Sequence, residues 1–369
     1  MNLSNQLKHN LLSIRGSKTH RKIVVIESDD WGSIRIPNRK ALKSIENKHL
    51  VSGNNLFNKL DSLESKSDLI ALYELFDKFK DKNGNSPILT ANFLTANPNF
   101  DKIKESNFQN YVAENIIESY SRYNNNEDTF GTLKVGINHN FIRPQYHGRE
   151  HLNRSSWMKM LQVEGSVSRK SFDDYVFCMD EPSKSNKRDN LMAAFDFSNE
   201  AEKNNTNLIF EEGYLEFEKL FGYKSKSFIS PCYVWDKSLE KKGSEMGIKL
   251  IQGIYNQYIP QMDNNPYKLK LHFNGQRNEF GQNYVVRNCF MEVFESLKNP
   301  IDDCLKRMEI AFRWGKPAII GMHRVNFVGN LDENNRTRTL KSLDDLFQRI
   351  LKKWPDVEFM STDQLENII

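Results

Sequence analysis

Three sets of ionisable residues stand where apolar runs stop. Asp29 and Asp30 come just after Ile23-Val24-Val25-Ile26. Four β-branched residues in a row read as a buried strand and are too few for a helix. A buried strand ending in two carboxylates delivers charge to a sheet edge, and in α/β folds ligands bind at the carboxyl ends of strands. His147 and His151 are four residues apart. On a helix that spacing puts both imidazoles on one face, one turn apart, which suits a single metal ion. The spacing predicts a helix starting near His147, just after Pro144. Two histidines need a third ligand to form an open catalytic site, and Asp29 or Asp30 can supply it. Two imidazoles and one carboxylate leave positions for water and substrate, so the ion can acidify its water. His323 ends a second apolar run, residues 317–322. A histidine there, beside an activated water, is suited to protonate a leaving group. A solvated acidic turn or surface histidines would explain each set singly. They do not explain why all three follow apolar strands.

The elements that must position these residues alternate. Strands are expected near 23–26, 87–94, 141–145, 227–231, 248–255, 284–288, 317–323 and 357–360. Helices are expected near 69–79, 108–120, 213–221, 237–246, 301–314 and 340–352. About seven strand–helix units favour a parallel sheet, and this many suggest closure into a barrel. Residues 1–21 read as a polar N-terminal extension and 22–369 as one catalytic domain. Insertions are expected at about 154–205, where the chain is charged and weakly periodic, and at about 257–282.

Composition sets the outer bounds. The 369 residues are 38% hydrophobic, ample for a core, and the net charge of +4 is slight. Lysines are spread without a basic block or an aromatic-interleaved stripe, so nucleic acid is not expected as a partner. No window approaches a membrane span and the N-terminus has no apolar core segment, so the expected compartment is the cytoplasm. The four cysteines lack a CxxC pair and read as reduced thiols.

Taken together, the motifs resemble the polysaccharide deacetylase family, also known as the NodB homology fold or carbohydrate esterase family 4. The resemblance rests on Asp29-Asp30 after the first strand, the His147/His151 pair, Ser230-Pro231-Cys232-Tyr233 at a strand end, His323 closing a late strand, and the final Val-Glu-Phe-Met-Ser-Thr-Asp-Gln-Leu. It covers about residues 22–365. It implies an α/β fold, a distorted (β/α)7-type barrel with helical and loop insertions. It also implies Asp29 as base, Asp30, His147 and His151 as metal ligands, and His323 as general acid. The cofactor would be a divalent metal, with Zn2+ the expected ion. The reaction would remove an N-acetyl or O-acetyl group from a carbohydrate, the partner being an N-acetylated sugar or surface-glycan precursor.

The chain departs from that pattern at three places. Where the family has Arg-x-Pro-Tyr, this chain has Ile229-Ser-Pro-Cys232, with Tyr233 displaced by one. Arg287 is the candidate to replace the missing arginine. Glu27-Ser28 stands where the family has Thr-Phe. His323 is followed by Arg324, which disfavours a protonated imidazole. Trp31, Tyr233, Trp235 and Arg287 are the substrate-binding candidates, with Trp157 and Tyr175 as further sugar-stacking aromatics.

Two other functions fit parts of the sequence. His147-Gly-Arg-Glu-His151 matches H-x-x-E-H, a zinc metalloprotease motif in which Glu150 would be the base. A barrel that binds glycan without turnover is the non-enzymatic alternative.

Overall fold

The first strand sets the frame. In the computed structural model, which describes residues 3–51, 55–179, 188, 190–295 and 299–369, it runs from Lys22 to Trp31 (β1). Successive side chains of a strand point to opposite faces. Val24 and Ile26 join a large apolar cluster with helical residues such as Leu72 and Phe347. Ile23 and Val25 pack instead with Leu250, Val285, Ile319 and Leu365. That second row then turns polar, at Glu27 and again at Asp29. An apolar floor therefore lies beneath a polar layer.

Eight more strands complete the sheet: β2 (Leu89–Leu94), β3 (Ile142–Gly148), β4 (Ser227–Ile229), β5 (Leu250–Gly253), β6 (Asn283–Val286), β7 (Cys289–Phe290), β8 (Ala318–His323) and β9 (Val357–Met360). Their order is β6-β5-β4-β3-β2-β1-β8-β7, with β9 beside β1, and the ladders are parallel. The two outer strands of this order, β6 and β7, are separated in the chain only by Arg287 and Asn288. The Arg287 N–H donates to Gly253 O (2.8 Å) and the Asn288 N–H to Ile319 O (3.2 Å). One extended segment thus pairs first with β5 and then with β8, and the sheet closes on itself. Counting β6 and β7 as one stave, the ring is β1, β2, β3, β4, β5, β6/β7 and β8, a (β/α)7-type barrel. β9 pairs with Lys22–Val25 at the start of β1, while β2 pairs with its later part.

The helices form where caps and apolar spacing agree. Ser65 and Asp68 make a reciprocal capping box at the start of Lys66–Asp77, and Gly247 ends Lys237–Met246 in a left-handed conformation. Two expectations need correction. No helix spans 108–120: Asn107 and Phe108 have φ of 51° and 62°, which breaks the chain into Phe100–Glu105 and Ile116–Tyr123. The helix expected at 213–221 begins at Glu200, capped by Asn199.

The segment 154–205 contributes helices Arg154–Leu161 and Val167–Phe172, whose Trp157 and Phe172 build a second apolar cluster with Ile34 and Phe100. Residues 180–187 and 189 of that segment lie outside the described residues. The segment 257–282 is built around an antiparallel pair, Asn256–Ile259 with Lys268–Leu271. The N-terminal segment forms a helix, Leu3–Ser13. It is tied to the barrel by Trp314 Nε1 donating to Asn10 Oδ1 (2.9 Å) and, just beyond its end, by Lys316 Nζ donating to Gly16 O (2.7 Å). Among the described residues no helix is long and apolar enough to cross a membrane.

Candidate active site

The carboxyl ends of the parallel strands bring the ionisable residues together. Asp29 and Asp30 lie near the end of β1, His147 is the penultimate residue of β3, Arg287 comes just after β6, and His323 ends β8. On β1 the register with β2 shifts between Ser28 and Trp31, and Asp30 has φ of 74°. This bulge matters because regular alternation would send Asp30 away from Asp29. Instead both line one cavity of about 250 Å³, with His147, His151 and His323.

Asp29 is held by Arg287 in a two-pronged contact. Arg287 Nη2 donates to Oδ1 (2.6 Å) and Nη1 to Oδ2 (2.7 Å), while Asn92 Nδ2 donates to Oδ1 (2.8 Å). Burial alone would push this carboxyl up. The Arg287 guanidinium outweighs it and brings Asp29 down to about 2. On its other side Arg287 donates through Nε to Glu27 Oε2 (2.7 Å), and Thr362 Oγ1 donates to Glu27 Oε1 (2.7 Å). One arginine, from the segment between β6 and β7, therefore orients Asp29, and Glu27 anchors it.

Asp30, His147 and His151 present ligand atoms that all lie within 4.8 Å of one another. Asp30 Oδ1 lies 3.3 Å from His151 Nε2 and 3.5 Å from His147 Nε2, and Oδ1 and His147 Nε2 are buried without a hydrogen-bond partner, a costly arrangement unless something else satisfies them. His147 Nδ1 lies 2.9 Å from Ile229 O. Donation there leaves Nε2 as a free lone pair, the usual arrangement of a ligating imidazole. Burial, reinforced by His147 and Arg35 and opposed by Asp30, pushes His151 down to about 4, so it is neutral and able to ligate at neutral pH. The donor set fits a divalent cation. The geometry differs from the expectation in one respect. β3 runs straight through His147, and the next helix begins only at Arg154, capped by Asn153. The pair converges across a strand end and a turn at Gly148, whose φ is 128°, not along one helix face.

His323 faces the site from the opposite wall, its Nε2 3.9 Å from Asp29 Oδ2. Its Nδ1 is 2.6 Å from Glu292 Oε1. Burial pushes this imidazole down, but Glu292, Asp30 and Asp29 prevail and raise it to about 9. Arg324 does not oppose this as its position in the sequence suggests. It is fully buried and turned away, paired with Asp61 (3.1 Å) and Glu64 (2.9 Å). Glu292 and Asn92 escaped the sequence reading. Glu292 sits in an irregular stretch after β7, where no periodicity marks it. Asn92 is a polar residue in the middle of an apolar strand, a signal that was available.

The remaining candidates divide. Tyr233 lines the cavity and lies 3.4 Å from Arg287 Nη1. Trp31, Trp157 and Trp235 are core residues, 0%, 0% and 1% exposed, and so offer no stacking face. Trp31 donates to Ser28 Oγ (2.9 Å) and Trp235 to Glu240 Oε1 (3.0 Å). Tyr175 donates to Asp101 Oδ1 (2.7 Å) and packs on Phe100. Glu150, the base in the protease pattern, is occupied by the Tyr111 hydroxyl (2.9 Å) and Arg149 Nε (2.8 Å).

No family model matches the chain, and no curated protein matches it in sequence. Several solved structures are similar to it. A 4-alpha-glucanotransferase from Thermococcus litoralis aligns at TM-score 0.45 and 10% identity, over 95% of this chain and 41% of its own. The chain thus spans less than half the length of that protein. A family 4 carbohydrate esterase from Streptomyces lividans, in complex with acetate, aligns at TM-score 0.38 and 9% identity, over 95% of this chain and 96% of its own. A pseudoenzyme of the same family from Bacillus anthracis aligns at TM-score 0.38 and 9% identity, over 94% and 66%.

Proposed function

We propose that the chain is a divergent member of the polysaccharide deacetylase family, a metal-dependent hydrolase that removes an N-acetyl or O-acetyl group from a carbohydrate. The observation that carries this reading is the convergence of Asp30, His147 and His151 within 4.8 Å between an arginine-bound Asp29 and a carboxylate-bound His323. Asp30, His147 and His151 would hold a divalent ion, zinc first, which when bound supplies an acidified water and polarises the acyl oxygen. Asp29 stays ionised and fixed by Arg287 and Asn92, so it accepts the proton of the attacking water. His323, kept protonated by Glu292, donates a proton to the departing amine nitrogen. Asp29 Oδ2 and His323 Nε2 lie side by side, 3.9 Å apart, which supports a reading in which one accepts and the other donates a proton at a single reacting centre. The substrate is an N-acetylated sugar or a surface-glycan precursor, and acetate is the second product.

The test is acetate release from a panel of N-acetylated sugars by the zinc-loaded protein. Asp29→Asn is expected to abolish it and Glu150→Gln to leave it in place. The reverse pattern, on peptide substrates, would establish the protease reading. Glycan binding with no acetate release from any member of the panel would establish the silent barrel.

A further inference from the structure

Among the described residues that line the cavity, Arg35 is a cation that the deacetylase reading does not use. It lines the cavity together with Asp30 and His151 and is only 9% exposed. Two neighbouring side chains hold its guanidinium from behind. Nε donates to Asn58 Oδ1 (3.2 Å), and the guanidinium carbon sits 5.0 Å from the centroid of the Phe57 ring. Phe57 is itself fixed edge-on against His323 and Phe294, with centroids 5.2 and 4.8 Å apart. The two terminal nitrogens have no hydrogen-bond acceptor among the described residues. The nearest carboxylate oxygen, Asp30 Oδ2, is 4.0 Å from Nη1, too far for a hydrogen bond.

A guanidinium this deep in the fold normally spends its forked donors on a carboxylate. Arg287 and Arg324, two further arginines at this end of the barrel, follow that rule. Arg35 does not, and its free fork is on the cavity side, where Asp30 stands. Its orientation is fixed before any ligand arrives, the condition for strong recognition of a planar or tetrahedral anion.

We propose that Arg35 is an anion-recognition residue, and that the substrate is an acylated sugar carrying a carboxylate or a phosphate close to the acyl group. This deepens the deacetylase reading and rests on it for the acyl group, while the anion site stands on Arg35 alone. A neutral sugar would leave the guanidinium fork dry and unpaired. An acidic one satisfies it with two parallel N–H···O bonds.

The test compares N-acetylglucosamine with N-acetylmuramic acid, which places a carboxylate beside the acetamido group, and with the 1- and 6-phosphates of N-acetylglucosamine. The two kinds of acid separate a carboxylate source from a phosphate source. Binding is read by calorimetry on zinc-loaded Asp29→Asn protein, and turnover by acetate release from the protein with Asp29 intact. At least one acidic sugar is expected to be favoured over the neutral one by about 10- to 100-fold in Kd, the range of charge-assisted pairs. Arg35→Gln is expected to collapse that ratio to about one, with Arg35→Lys recovering only part of it. Equal binding of neutral and acidic sugars overturns the proposal and leaves the deacetylase reading intact. So does a ratio that survives in Arg35→Gln, or a loss that falls equally on both kinds of sugar. Selective, Arg35-dependent binding of an acidic sugar without acetate release from any compound supports the anion site and overturns the deacetylase reading instead.

Discussion

Arg287 reaches Asp29 across 258 residues of chain and grips both of its oxygens, at 2.6 and 2.7 Å. The same guanidinium is bound from behind by Glu27 at 2.7 Å. One cation therefore serves two buried carboxylates, and both depend on it.

Replacing Arg287 by Met would strand both carboxylates. The expected loss is about 3–5 kcal/mol of stability, as for removal of one partner of a buried pair, read from urea unfolding. Arg287→Lys keeps the charge but not the fork. It should recover part of the stability while acetate release stays well below that of the native protein. Asp29 adds a pH signature. A depressed carboxyl stabilises the fold above its unfolded value of about 3.9, and that contribution fades as pH falls toward about 2.

On the proposed mechanism Glu292 sets the alkaline limit. With His323 raised to about 9, its imidazole stays protonated through neutral pH, and the rate should fall only as pH passes that value. Glu292→Gln removes the largest upward influence and should move this limb to lower pH, read from kcat against pH. The stability sign is the reverse of that for Asp29. The contribution of His323 is complete below its unfolded value of about 6.5 and is lost as pH rises through about 9.

Metal binding should register without any substrate. Zinc at a hundredfold excess over its Kd should stabilise the protein by about 2.7 kcal/mol, visible as a raised Tm. Asp30→Asn or His147→Ala should each weaken zinc binding at least about tenfold in calorimetric titration, as loss of one of three ligands requires. Ile229 offers a control. Its carbonyl orients His147, so conservative Ile229→Val should leave affinity within a few fold, because the backbone acceptor remains.

Arg324 is expected to matter for folding and not for proton transfer. Fully buried against Asp61 and Glu64, it should cost about 3–5 kcal/mol when changed to Met. Zinc affinity of the folded fraction should change little.

Much of the site was legible because strands announce their ends. Residues 23–26 and 317–322 are apolar runs stopped by ionisable groups, and β1 and β8 place Asp29 and His323 in register as neighbours. The histidine spacing pointed to a pair that does converge, but by another geometry than the one it suggested. A separation of four suggests a helix, whereas the chain brings the two rings together through a strand end and a glycine turn, a geometry that leaves no periodic trace. Trp31 and Trp235 misled because an aromatic beside a carboxylate reads equally as a sugar platform or as core, and only burial separates the two. Glu292 and Arg35 were invisible for a different reason. Each acts through contacts with residues at least about twenty positions away, Arg35 with Asn58 (23 apart) and Glu292 with His323 (31 apart), and no local pattern encodes a distant partner. The departures from the family motif were informative as a pair. Glu27 and Arg287 look like two separate anomalies along the chain and are one ion pair in the barrel.

The segment from Asn283 to Phe290 joins both edges of the sheet, and Arg287 lies at that seam. Until the last stave pairs with β8, the guanidinium cannot reach Asp29, because β1 and β6 come together only when the ring shuts. Formation of the Arg287–Asp29 pair is thus the same event as closure of the barrel. A partly folded chain with every other strand in place would hold two uncompensated acids, and native protonation of Asp29 would report ring closure during refolding.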